Sequence, residues 1–271
     1  MAEALILRTA RLEHGALAAG EGPLVLFLHG ITAGAVVWEP VLESLADEFR
    51  CLALDQRGHG RAGKPGSGYT AQDYVDDVVA VLEQTGPARA VVGHSLGARN
   101  AILLAAQRPD LVGGVVAVDY VAGIEPEVFE GLRRARRPEG PFESEEEVRL
   151  AIRARSALLP PEAVERRARH LYSAADGRFS PLASPSAVEQ TLEVLDVDLA
   201  GPLRSARVPV LAVRGERSRF CSEAALALTL SLGGHVSGAV VAGADHFVPE
   251  ERPGELAALV RAFLHGVDDP A

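Results

Sequence analysis

The sequence predicts an α/β protein with a mostly parallel central sheet, helices on both faces and one helical insertion. Three observations carry that expectation. Short continuous apolar runs, such as Leu24-Val25-Leu26-Phe27-Leu28, read as strands buried on both faces. Segments with helical spacing lie between these runs, and regular alternation of the two implies a parallel sheet covered on both sides. From about Glu125 to Ala200 the alternation stops, and the chain becomes rich in arginine and glutamate, with prolines at 138, 160 and 181.

Taken in order, residues 5–8 and 11–18 predict an opening hairpin, and 24–28 a buried strand ending at His29-Gly30-Ile31-Thr32. Val41, Leu42, Leu45 and Phe49 give helical spacing over 39–49, and 51–54 is the next strand, ending at Asp55. The loop Gln56-Arg57-Gly58-His59-Gly60 and a Gly/Pro-rich tract come next, then a helix over 70–84 with Thr70 as its N-cap. Ala90-Val91-Val92 is a strand, 98–107 an alanine-rich helix, and 111–118 a strand ending at Asp119. Short amphipathic helices are expected over 126–137, 144–158, 161–173 and 185–195. The alternation resumes with a strand over 208–213, a helix over 222–232, a strand over 236–241 and a closing helix over 254–266. Residues 1–122 and 201–271 are thus expected to form the core, and 123–200 a helical lid, with a purely structural insert as the plainer alternative.

Composition narrows the function classes. The chain has 271 residues, 48% hydrophobic and 24% charged, ordinary for a globular enzyme. A net charge of -10 argues against nucleic acid as a partner. No apolar run is long enough to span a bilayer, and no secretory signal is visible, so no membrane partner and a cytoplasmic setting are expected. Cys51 and Cys221 lie far apart and are expected as buried, reduced thiols. Neither an H-E-x-x-H spacing nor a Gly-rich phosphate loop is present, so no metal and no cofactor are expected. The expected partner is a small-molecule substrate; oligomeric state stays open, a homodimer included.

The chemistry centres on Gly93-His94-Ser95-Leu96-Gly97, between an apolar strand and a helix. In that setting G-x-S-x-G is a nucleophile elbow, a sharp turn that lifts the serine hydroxyl into a cleft. Ligands bind beyond the carboxyl ends of strands in such sheets, and those ends carry His29-Gly30-Ile31, Asp55, Ser95, Asp119, Glu216 and His246. A nucleophilic serine needs a base and a group to orient that base. His246, after the last strand, is the expected base. The commoner position for the acid, three residues past Gly215, holds Ser218, so Asp119 is favoured and Glu216 is the alternative. The amides of Leu96 and Ile31 are the expected oxyanion donors.

Together these motifs resemble the α/β-hydrolase superfamily across nearly the whole chain, and within it the enamide hydrolases of a dicarboxylate and related carboxylesterases. The resemblance rests on His29-Gly30-Ile31-Thr32, the loop from Asp55 to Gly60, Gly93 to Asn100, Arg214-Gly215-Glu216 with Ser218, and Gly243-Ala244-Asp245-His246. It implies an α/β-hydrolase fold, an acid after the strand that succeeds the elbow, hence Asp119, and an acyl-enzyme formed without a cofactor. It also implies carboxylate recognition by lid arginines, here Arg155 with Arg134 or Arg136, and a lid aromatic at Tyr172. A small ester, amide or enamide, with carboxylates on it, is the expected substrate. A broad-specificity carboxylesterase or lactonase is the alternative enzyme, and a small-molecule receptor the alternative from another class.

Overall fold

The computed structural model describes residues 2–135 and 140–270. The chain opens with antiparallel β1 (Glu3–Arg8) and β2 (Glu13–Ala19), then buried β3 (Leu24–Leu28). A 3-10 turn at Ala35–Trp38 leads into α1 (Glu39–Leu45) and β4 (Arg50–Leu54). Next come α2 (Ala71–Thr85), β5 (Ala90–His94), α3 (Leu96–Gln107) and β6 (Val115–Val118). The insertion holds α4 (Pro126–Ala135), α5 (Glu145–Arg153), α6 (Pro161–His170), a hairpin of β7 (Tyr172–Ala175) and β8 (Arg178–Pro181), and α7 (Pro185–Glu193). The chain closes with α8 (Ala200–Ser205), β9 (Val210–Gly215), α9 (Glu223–Leu230), β10 (Val236–Val241), α10 (Val248–Glu251) and α11 (Pro253–Leu264).

Eight strands form one sheet in the order β1-β2-β4-β3-β5-β6-β9-β10, parallel from β4 onward. Side chains alternate across a strand, so an all-apolar strand feeds two cores. In β3, Leu24, Leu26 and Leu28 join one cluster with α2, α3 and α9, while Val25 and Phe27 join another with α1 and α11. Thr70 caps α2 as expected: its hydroxyl accepts from the Asp73 amide, and the Asp73 carboxylate accepts from the Thr70 amide. A buried ion pair between Arg57 and Asp77 ties the loop after β4 to α2.

Three expectations shift. The strand expected over 111–118 is only Val115–Val118, because Gly113 and Gly114 precede it and Val112 makes a lone bridge to Ala88. The helix expected over 161–173 ends at His170, and β7 begins at Tyr172. The helix reading passed over Asp176-Gly177, the turn of the hairpin: both residues take positive φ, at 50° and 75°, as a type I′ turn requires. Helix 144–158 stops at Arg153. The end of helix 126–137, with Arg136, lies outside the described residues. Among the described residues no helix is long and apolar enough to cross a membrane, and both cysteines are free and buried.

Candidate active site

β3, β5, β6, β9 and β10 are neighbours in the sheet, so the loops beyond their carboxyl ends converge. Ser95 sits between β5 and α3 with φ 53° and ψ -116°, a backbone that L side chains rarely adopt. The flanking glycines are there for space. A Cβ on Gly97 would stand 2.1 Å from the Leu28 carbonyl oxygen, and one on Gly93 would stand 2.2 Å from that of Gly97. Thr70, Ser144, Ser184 and Ser222 all use their hydroxyls to cap the helices they start, but Ser95 does not cap α3. Its hydroxyl is left to a cavity of about 720 Å³ whose wall includes Ser95 and His246. Among the described residues no hydrogen bond joins Ser95 to His246. Such bonds are often long without a ligand.

His246 Nδ1 stands 2.7 Å from Asp119 Oδ2. Asp119 is wholly buried, and its carboxylate also accepts from the Ser218 hydroxyl at 2.6 Å and the Gly215 amide at 3.0 Å. The Ser218 oxygen accepts in turn from the Phe220 and Cys221 amides, which commits its proton to Asp119. The serine at the commoner acid position thus supports the carboxylate that stands elsewhere. Glu216 is exposed, and its carboxylate accepts from the Gly243 amide. Asp245 accepts from the His246 amide, a turn contact.

His94 Nε2 lies 2.7 Å from the His246 carbonyl oxygen. Burial, then the nearby His246, pushes the His94 imidazole well below its ordinary pKa, so it fixes backbone as a neutral donor. His29 does the same for the Gly30 carbonyl. Gln56 N donates to His29 Nε2, which leaves Nδ1 to donate to the Gly30 oxygen at 2.7 Å. That carbonyl shares a planar peptide with the Ile31 N–H, so holding one aims the other. The Gln56 side chain grips the His29 carbonyl and is held by Asn100 of α3, which links the Gly30-Ile31 peptide to the elbow helix. Burial lowers the His29 pKa to about 4. Neither the Ile31 amide nor the Leu96 amide donates to another described residue, and Ile31 lines the cavity.

The arginines of the insertion separate. Arg155 lines the cavity and donates to the Thr32 hydroxyl. Arg134 stands on the exposed face of α4 beside Glu130, outside the cavity lining, because the apolar face of that helix turns inward. Tyr172 is also outside the lining: its ring packs on Phe142 at 5.9 Å, in the small apolar cluster of the lid. Sequence reasoning missed Arg167, which lines the cavity from α6 while its guanidinium grips the buried Glu250 and lies over the Phe247 ring. It also missed Phe220, whose ring is 4.7 Å from that of His246.

Residues 23–150 match the alpha/beta hydrolase fold family. The chain is 44% identical over 236 residues to 2-(acetamidomethylene)succinate hydrolase of Mesorhizobium japonicum, covering 86% of this chain and 85% of that one. A crystal structure of E-2-(acetamidomethylene)succinate hydrolase superposes with a TM-score of 0.93 at 39% identity, covering 98% and 100% of the two chains. An esterase from Mycobacterium tuberculosis superposes at 0.79 with 26% identity, covering 98% and 92%. By sequence and by fold, the chain belongs to the alpha/beta hydrolase family.

Proposed function

We propose that this hydrolase opens the amide bond of a small, doubly anionic enamide of the 2-(acetamidomethylene)succinate type, with Ser95 as nucleophile, His246 as base and Asp119 as its orienting acid. The observation that carries the reading is the placing of Arg155 in the wall of the cavity that also holds Ser95 and His246, with Arg167, whose charge Glu250 meets, in the same wall. Guanidinium forks suit carboxylates.

The chemistry derives from the positions. Ser95 Oγ adds to the acetyl carbonyl carbon as its proton passes to His246 Nε2. The oxygen gains charge where the Ile31 and Leu96 amides and the N-terminus of α3 converge. Imidazolium at His246 is stabilised by the Asp119 carboxylate, which Ser218 and Gly215 hold in place. His246 then returns the proton to the enamide nitrogen, the C–N bond breaks, and water releases acetate by the reverse sequence. His94, kept neutral, adds no like charge beside that imidazolium.

A panel of esters, lactones and acylamino-acrylates, with and without carboxylates, tests the reading. The anionic enamides should be preferred, and Arg155→Ala should raise KM for them by roughly tenfold or more, the loss of one charged hydrogen-bond pair. Indifference to substrate charge would favour a generalist esterase or lactonase. Tight binding without turnover would favour a receptor.

A further inference from the structure

The cavity is much larger than the substrate proposed for it, and its two ends differ. Even at the roughly 30 Å³ that a water occupies in the liquid, the about thirteen non-hydrogen atoms of 2-(acetamidomethylene)succinate fill only about 400 Å³. Against a cavity of about 720 Å³, that leaves about 300 Å³, room for several methylene groups. One end is polar: Arg155, Arg167 and Thr32 stand there, beside α6 and the 3-10 turn on which α6 packs. The other end is apolar: Val128 and Leu132 of α4, Val188 and Leu192 of α7, then Leu195 and Phe220. These six belong to the apolar cluster on the α2, α3 and α9 side of the sheet, whereas the Arg155 end lies toward the α1 and α11 side. The exposed Glu189 and Arg219 also line the cavity, next in sequence to Val188 and Phe220.

Ser95 stands between the two ends, at the tip of a central strand. With the carboxylates held at the arginine end, the scissile bond lies over Ser95 and the acyl substituent points to the apolar end. We propose that this end is an acyl-chain pocket, and that the protein hydrolyses anionic enamides and simple esters whose acyl chains are longer than acetyl, about butanoyl to hexanoyl. Giving this end to the acyl group and not to the leaving group rests on the enamide reading above; the ester series measures it without that reading. The step is the same: Ser95 Oγ bonds to the acyl carbon, the C–N or C–O bond breaks, the leaving group takes the proton from His246, and water releases the carboxylic acid and restores the serine.

Two homologous series test it, acetyl, butanoyl and hexanoyl, one as N-acyl aminomethylenesuccinates and one as p-nitrophenyl esters. In both, kcat/KM should rise with chain length, by up to about fourfold per methylene while the pocket still fills. Hexanoate should inhibit more tightly than acetate, a readout that needs no turnover. Val188→Trp, which fills the pocket, should bring the hexanoyl-to-acetyl ratio below one in the esters; if that variant does not fold, the wild-type series and the product inhibition decide alone. Acetyl as the best acyl group in both series, with hexanoate no better than acetate, overturns the pocket and leaves the enamide reading standing. A rise in the ester series with no cleavage of any enamide sustains the pocket and sinks the enamide reading.

Discussion

Asp119 leaves β6 with φ 52°, a left-handed conformation that aspartate tolerates better than most residues. The turn aims its carboxylate at His246, and three donors then hold it. Asp119→Asn keeps the volume but removes the charge and disturbs the imidazole tautomer, so kcat should fall by about ten-thousandfold, while Glu216→Gln should stay within about twofold. Steady-state kinetics on one good substrate checks both, and a crippled Glu216→Gln beside a healthy Asp119→Asn would contradict the assignment. Ser95, Asp119 and His246 were legible because each comes after a recognisable strand. Ser218 was legible only as a missing carboxylate, since its role depends on where Asp119 points. Arg167 was not legible at all: its partner Glu250 lies 83 residues away, and on a charged helix nothing local sets it apart.

At the scale of the element, the elbow works only while α3 can approach β3. Gly97→Ala puts a methyl group against the Leu28 carbonyl, which is backbone and cannot step aside. Tm should drop by at least about 5 °C. Gly201→Ala in α8 is the control, with nothing within 4 Å of the added carbon, and it should hold or slightly raise Tm. Equal Tm values for the two variants would contradict the close-approach argument. Core strands were legible from apolar runs, because burial on both faces leaves no other pattern. The insertion between β6 and α8 was legible in outline only. Its helices are short and charged, so their ends depend on packing, and a four-residue strand such as β7 carries too few side chains to show a period.

At the scale of the whole molecule, the sheet divides two cores, and the loops beyond its strand ends bury two imidazoles. Burial lowers His29 to about 4 and His59 to about 3, from an ordinary 6.5. Both stay neutral in the fold where the unfolded chain takes up protons. Their contribution is therefore complete above about pH 6.5 and is lost as pH falls, through about 4 for His29 and about 3 for His59. Urea denaturation should give a lower midpoint at about pH 5 than at about pH 7; an equal or higher one would contradict the burial of neutral imidazoles. The central claim is a covalent one, and the most direct measurement is the fate of the acyl group when p-nitrophenyl acetate is mixed with enzyme and quenched within one turnover. A burst of nitrophenol equal to the enzyme, with acetyl on the peptide that carries Ser95 and none on Ser95→Ala, is the predicted result. Full turnover by Ser95→Ala, or an acetyl group found only on another residue, would contradict it.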